Sequence, residues 1–289
     1  MGLLLELAAG GLIAGGIYAV VAMGLNLQYG LMRIMNISHG EFLMLGAYLT
    51  WFAHTTFQVN PLLFLPAAAG LLFLLGLAVY GLCFRRIVRT APSLEVIEAR
   101  SLLVGFGLMF LVQNAVYLAW GADLQGYSFL TQPVEIAGAR FGANRLLVFG
   151  FAVGASLALL ALLRWTLVGK AVRAMMQSPT GAQLVGIDTG VLHPVVFGAG
   201  LALAGVAGAL LSMVYVISPS MGEPYTVTAL IVITLGGLGS AAGCLVGGLL
   251  LGLVEAFGMH YANPSFKMLL SYGVLIAVLI ARPQGLFKR

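Results

Sequence analysis

Long apolar runs alternate with short polar breaks along this chain, and the breaks carry most of the information. Apolar segments lie near residues 3–29, 41–57, 62–84, 100–120, 145–163, 191–213, 226–238, 242–259 and 266–281. A helix needs roughly 20 predominantly apolar residues to cross the hydrocarbon core of a bilayer, and most of these segments approach that length. A transmembrane β-barrel would instead alternate apolar and polar residues over about ten at a time. The pattern predicts an all-α fold, a polytopic transmembrane helical bundle forming a single domain over residues 1–289. The N-terminal run, MGLLLELAAGGLIAGG, has no basic region before it and no clean cleavage site after it. It reads as the first span rather than as a signal peptide.

One polar stretch stands apart: Gly169 to Asp188, GKAVRAMMQSPTGAQLVGID, a basic island between two apolar runs. Residues Val168 to Gln177 predict a helix that Ser178-Pro179 interrupts. Ser178 suits an N-cap and Pro179 the first helical position. A second short helix, about Pro179 to Val185, would end at Gly186, a natural residue for the turn past a helix end. The exposed surface predicted for the island includes Met175, Met176, Gln177 and Gln183. Flexible methionines suit a socket on another protein. An ordinary connection would be shorter, since loops beyond about 12–15 residues are usually functional.

Two further places break the regularity of the spans. The first is Tyr29 to Gly40, where Gly30, Arg33, Asn36, Ser38 and His39 crowd together; the second is the glycine-rich Leu235 to Gly243. Irregular backbone at membrane depth is tolerated only where it is buried in protein or lines a watery cavity, and interrupted segments in both halves of a chain point to a transport pathway. Asn36, His39, Gly237 and Gly239 are therefore pathway or gate candidates. Asn36 and His39 share a face if their segment is helical. Either they shape a gate or cavity wall, or they are hydrogen-bonded in a tight re-entrant turn.

Glu255 lies inside an apolar helix, and an intramembrane carboxylate is a functional candidate by default. It lines the path, pairs with a basic group near a helix end, or sits partly solvated about one turn from the outer boundary. Gln113 and Asn114 are expected to hydrogen-bond across helices. Gly239, Gly243, Gly247, Gly248 and Gly252 make small-xxx-small steps that allow close packing, against either this chain or a second subunit. Pro61, Pro219, Pro224 and Pro264 mark external turns, and Ser218 to Pro224, with Glu223, forms an external loop.

Composition agrees: 61% of residues are hydrophobic and 8% charged, against about 25% charged in soluble domains. The net charge of +5 does not indicate nucleic acid, because the basic residues sit at span ends. Lys and Arg favour cytoplasmic loops. One alternating arrangement puts Arg33, Arg85, Arg86, Arg89, Arg100, Arg164, Lys170, Arg173, Arg282, Lys288 and Arg289 inside and only Arg140, Arg145 and Lys267 outside. The island and the C-terminus are then cytoplasmic, the N-terminus is outside, and Gly121 to Asn144 is the longest external loop. Cys83 and Cys244 lie in apolar runs, read as small packing residues. No metal-ligand spacing is present in the sequence.

Gly169-Lys170-Ala171-Val172-Arg173-Ala174, then Gly186-Ile187-Asp188, resemble the cytoplasmic coupling loop of ABC importer permeases of the branched-chain amino acid uptake family. Gly24-Leu25-Asn26-Leu27-Gln28-Tyr29-Gly30, with Asn36-Ile37-Ser38-His39-Gly40-Glu41-Phe42 and Gly46-Ala47-Tyr48, resemble the family's N-terminal signature. Leu235-Gly236-Gly237-Leu238-Gly239-Ser240, with Gly243, Gly247-Gly248, Gly252 and Glu255, resemble its C-terminal one. The resemblance spans essentially the whole chain, and the form of the first signature is similar to the shorter subunit of a permease pair.

The resemblance implies a membrane permease subunit with broken or re-entrant segments and a cytoplasmic coupling helix that docks on an ATP-binding subunit. Gly169, Arg173, Met176, Ser178, Gln183 and Gly186 would serve that coupling. The implied partners are a second, longer permease subunit, two ATP-binding subunits that hold ATP and magnesium, a periplasmic solute-binding protein and membrane lipid, in a bacterial inner membrane. This chain itself would hold no cofactor. Branched-chain amino acids are the family default; urea, amides and aromatic acids are alternatives among relatives. Family members often carry an acidic residue soon after the first coupling helix, and Gln177-Ser178-Pro179-Thr180 has none.

The sequence contains no GxxxxGK[ST], HExxH, GxSxG or TVGYG run, the motifs of P-loop ATPases, zinc hydrolases, serine hydrolases and potassium filters. A stand-alone secondary transporter would use intramembrane charges for ion coupling. Only Glu255 qualifies, and the island would stay unexplained.

Overall fold

The computed structural model describes residues 2–136, 139–261, 266–282 and 284–287. Each apolar segment becomes a helix. These are α1 (Gly2–Met32), α2 (His39–Phe57), α3 (Pro61–Val79), α5 (Leu94–Trp120), α6 (Ala143–Trp165), α9 (Thr189–Ser212), α10 (Gly222–Gly236), α11 (Ala241–Tyr261) and α12 (Lys267–Ala281). A π turn, Tyr80–Phe84, carries α3 directly into α4 (Arg85–Thr90). The island forms α7 (Leu167–Gln177) and α8 (Pro179–Leu184). Among the described residues, six helices are long and apolar enough to cross a membrane. With 15 residues each, α10 and α12 span about 22 Å, less than the roughly 30 Å of a bilayer core.

Helices α1 and α9 form the centre. α1 packs on α11, α9, α10 and α6, while α9 packs on α3 and α2. Lipid tails are as apolar as leucine, so helices in a bilayer gain mainly from close packing. Glycine supplies it here. Gly11 and Gly15 of α1 meet Gly248 and Gly252 of α11, and a Cβ at Gly248 would stand 2.7 Å from the Ala19 nitrogen. The glycine steps of α11 are therefore used within this chain, with Gly243 and Gly247 against Gly236.

The loop after α5 is ordered around a short hairpin, β1 (Pro133–Ile136) with β2 (Ala139–Gly142). Gln125 pairs with Ile217 through backbone hydrogen bonds. The Ser212 hydroxyl donates to the Ala209 carbonyl and accepts from the Tyr127 hydroxyl at 3.0 Å. Burial pushes the Tyr127 phenol up to about 12, so it remains a neutral donor at physiological pH.

Three expectations are corrected. Asn114 donates to the Phe110 carbonyl of its own helix and not across helices. Met175 is buried, because it falls on the inner face of α7 with Gly169 and Val172. The stretch Ser218 to Pro224 is only partly a loop: α10 starts at Gly222, and Glu223 and Pro224 form its first turn. Pro264, Lys288 and Arg289 lie outside the described residues.

Candidate functional site

The first break is a re-entrant segment. After Met32 the helix stops, Arg33 takes a left-handed conformation at φ 55°, and residues 33–38 run without regular structure. The Arg33 guanidinium donates to the Tyr29 hydroxyl and stands 3.8 Å from Glu98, which accepts from the same tyrosine. The chain then turns back into the bundle. His39, the first residue of α2, reaches the Val21 carbonyl with Nε2 at 3.2 Å; since a carbonyl only accepts, Nε2 carries the proton. Val21 lies eleven residues, about 16 Å, before the end of α1. Six extended residues reach about 20 Å at most, enough for that return. So α2 begins near mid-depth.

Asn36 is not helical, which corrects the shared-face expectation. It is held in a buried chain instead: Ser38 Oγ donates to Asn36 Oδ1 at 2.6 Å, Asn36 Nδ2 to Gln28 Oε1 at 3.0 Å, and Gln28 Nε2 to the Phe197 carbonyl of α9 at 3.2 Å. The backbone N–H of His39 donates to the Asn36 carbonyl. The hydrogen bonds expected of a tight turn are present around this pair.

Helix α10 meets the same place from the other side. The Gly40 N–H donates to Thr226 Oγ1 at 2.8 Å, and Thr226 Oγ1 donates to the Ile37 carbonyl at 3.0 Å. The Gly222 Cα lies against the Glu41 carboxyl. The starts of two shortened helices therefore abut inside the bundle. The second interruption in the membrane is thus 213–221, before α10. The glycine turn at Gly237 (φ 95°) and Gly239 (φ 86°) lies at the Arg-bearing end. There Gly239 N donates to Asn26 Oδ1 at 2.8 Å, and the C-terminal segment closes α10, with Leu286 N donating to the Leu235 carbonyl.

The island sits at that same end. The Ser178 hydroxyl accepts from Gly181 N at 3.1 Å, capping α8, and Gly186 leaves the helix at φ 87°. Ile187 N donates to the Ala182 carbonyl and Gly186 N to the Gln183 carbonyl, a Schellman end. Gly169 lets α7 fold back on the Leu162 and Leu163 backbone, where no Cβ fits. Arg173 and Gln183 are exposed. Met176 is half-buried, with its methyl against Gly30 and Gly239. Sequence reading missed Leu184 and Val185, which are 84% and 77% exposed. Two bare apolar residues inside a polar island are the signal that was available.

At the opposite end a cavity of about 560 Å³ is lined by α1 from Glu6 to Tyr18 and by α11 from Gly252 to His260, with Arg145, Tyr225 and Lys267 from three other helices. Glu255, only 2% exposed, forms part of its wall, which corrects the partly solvated boundary position. Its Oε2 accepts from the Tyr18 hydroxyl at 2.7 Å and stands 3.6 Å from Lys267 Nζ, and its Oε1 accepts from Ser271 at 2.6 Å. The pairing with a basic group near a helix end is thus observed. Lys267 and Tyr18 were not among the expected site residues; a lysine opening a short apolar helix was the clue.

The family model for "Branched-chain amino acid transport system / permease component" matches residues 7–279. The chain belongs to this family. The high-affinity branched-chain amino acid transport system permease protein BraD of Pseudomonas aeruginosa is 30% identical, covering 99% of this chain and 96% of that one. The LivH permease protein of Escherichia coli is also 30% identical, over 96% of this chain and 94% of its own. A probable LivH of Methanocaldococcus jannaschii is 28% identical over 96% and 90%. Among solved structures, PsaBC from Streptococcus pneumoniae in complex with Fab contains a chain with TM-score 0.52 at 10% identity, covering 95% of this permease and 91% of that chain. That likeness is one of fold. The permease is a multi-pass membrane protein, and its bundle holds the break at 33–38 and the polar island that the sequence announced.

Proposed function

We propose that this permease is the shorter of two membrane subunits of an ATP-driven importer in a bacterial inner membrane, and that it moves branched-chain amino acids. The observation that carries this reading is the island. A capped two-helix unit at the Arg-bearing end offers Arg173, Gln183, Leu184 and Val185 outward, while Met176 packs inward on Gly30 of α1 and Gly239 of the glycine turn. A stand-alone channel or carrier has no use for such a unit; an importer whose ATPase is a separate subunit needs one. Gly169, Ser178 and Gly186 shape it. With no acidic residue in Gln177 to Thr180, docking there would rest on apolar contact and the basic side chains.

Positive charge favours the cytoplasmic side, so the N-terminus faces outward and the island inward. Nucleotide binding in two partner ATPases would move α7 and α8, and Met176 would pass that motion to the Gly30 and Gly239 backbones. The Glu6-to-Tyr18 cavity then faces the periplasm, where a solute-binding protein delivers the cargo. Names of the matched relatives supply the cargo class. The test is reconstitution with the second permease, the ATPases and the binding protein. Leucine uptake and leucine-stimulated ATPase activity are expected, and replacing Met175 to Gln183 by a Gly/Ser linker should abolish both while the chain stays in the membrane. Uptake that survives the linker would overturn the coupling role.

A further inference from the structure

The cavity beside α1 is deeper than a surface dent. Tyr18 lies close to the middle of the 31-residue α1. Its ring stands 6.3 Å from that of Tyr225, in the first turn of α10. The floor of the cavity is therefore near mid-bilayer, beside the start of a short helix, and solute sites in transport proteins cluster at that depth.

The floor is polar and built. Tyr18 and Glu255 line it, each less than 5% exposed, and Glu255 is held from behind by the buried Ser271 hydroxyl. Lys267 is different: its side chain is 43% exposed, and its contact with Glu255, at 3.6 Å, is loose. Arg145 also lines the cavity, and among the described residues no carboxylate lies within ion-pair distance of it. Tyr215 and Tyr225 line the cavity as well. Leu7, Ala14, Ile17 and Met259 supply the apolar wall. An isolated charge at this depth costs several kcal/mol, and a cavity holding matched opposite charges avoids that cost.

We propose that this floor is a solute subsite within the permease, one that reads the head group of a zwitterionic α-amino acid. Glu255 takes the ammonium, and Lys267 with Arg145 takes the carboxylate. In the empty cavity Lys267 occupies the carboxylate of Glu255. When a zwitterion arrives, that single ion pair is exchanged for two, and the net charge at mid-depth does not change. Glu255 has room for this, since a carboxylate accepts about four hydrogen bonds and the structure gives it bonds from Tyr18 and Ser271 beside the loose lysine contact. The apolar wall takes the side chain. The subsite rests on the importer reading above, and it adds residues that recognise cargo after the binding protein has let go.

The test uses the assembled permease–ATPase complex without its binding protein, with ligand contact followed by saturation-transfer NMR. L-leucine should give a methyl signal that L-valine competes away. The probes 3-methylbutylamine and 4-methylpentanoate, each lacking one charge, should bind at least about tenfold more weakly, the worth of one charge-assisted hydrogen bond. Glu255→Gln removes the charge while its amide can still accept from one of the Tyr18 and Ser271 hydroxyls and donate to the other, and it should lose the leucine signal. Arg145→Gln, at an unpaired and exposed position, should leave assembly untouched and weaken leucine several-fold. Equal signals from all three probes would overturn the proposal, as would unchanged leucine binding in both variants. Leucine uptake by wild-type vesicles with the binding protein checks the importer reading separately. Uptake without cavity binding sinks the subsite alone, and absence of any amino-acid uptake sinks both.

Discussion

Met176 reaches out of the polar island and sets its methyl group against Gly239, where an added Cβ would lie 3.2 Å from it. The same methyl fills the space beside Gly30, where a Cβ would come within 2.5 Å. One side chain thus touches the ends of α1 and α10, the two helices that flank the membrane breaks. Met176→Ala removes that contact without disturbing the caps of α7 or α8. We expect it to leave the complex assembled and basal ATPase activity unchanged, while solute-stimulated activity drops about tenfold, within the usual range of coupling energies between sites. Stimulated activity equal to wild type, measured in vesicles, would reduce Met176 to packing.

Gly186 makes a second prediction, because its role is purely conformational. It sits at φ 87° with nothing within 4 Å of a Cβ added there. Any loss on substitution therefore comes from the backbone. Holding an L-residue in the left-handed region costs roughly 1–2 kcal/mol, and a β-branched side chain is the worst case. Gly186→Val should loosen the Schellman end and the α8–α9 connection, and weaken capture of the ATPase subunit. Gly186→Asn, which tolerates this region, should recover most of it. Pull-down of the ATPase by each variant is the measurement.

These two residues also show what the sequence could carry. The turn at Gly186 and the cap at Ser178 were legible because local backbone chemistry decides them. The contact of Met176 with Gly30 and Gly239 was not, because it depends on how segments far apart in the chain come together. Met175 and Met176 look alike in sequence, yet helix phase buries one and half-exposes the other. The re-entrant break before α2 was visible as a crowd of polar residues, but its partner was placed at the glycine turn instead of 213–221. Hydropathy marks where apolar residues stop; it does not say that a helix restarts in the middle of the bundle. Glu255 was flagged by its charge alone, and its lysine came from a different helix.

Packing of α1 on α11 leads to a stability prediction. Gly248 faces the Gly15 carbonyl and the Ala19 nitrogen, and a Cβ there would lie 2.8 Å and 2.7 Å from them. These are backbone atoms and cannot rotate away. Gly248→Val should destabilise the solubilised protein by about 1–3 kcal/mol or more, the usual cost of overpacking. Gly154→Val, where an added Cβ meets nothing within 4 Å, is the control and should cost much less. Thermal unfolding of the two variants in the same detergent compares them directly.

His39 offers the last prediction. It is fully buried, its Nε2 donates to the Val21 carbonyl, and its Nδ1 has no hydrogen-bond partner among the described residues. The Val21 carbonyl belongs to an intact helix, so it keeps its helical bond if His39 is lost. What disappears is one of the ties at the start of α2, together with ring volume. His39→Ala should therefore cost on the order of 1–3 kcal/mol and lower assembly and transport together, so that uptake per assembled complex stays near wild type. His39→Gln, which keeps a donor of similar reach, should recover part of the stability. If uptake per assembled complex instead collapsed while thermal stability held, the ring would be part of the gate. The hydrogen-bonded turn seen around Asn36, Ser38 and Gln28 favours the first outcome, because that network anchors the same backbone and would keep α2 in place without the histidine's help.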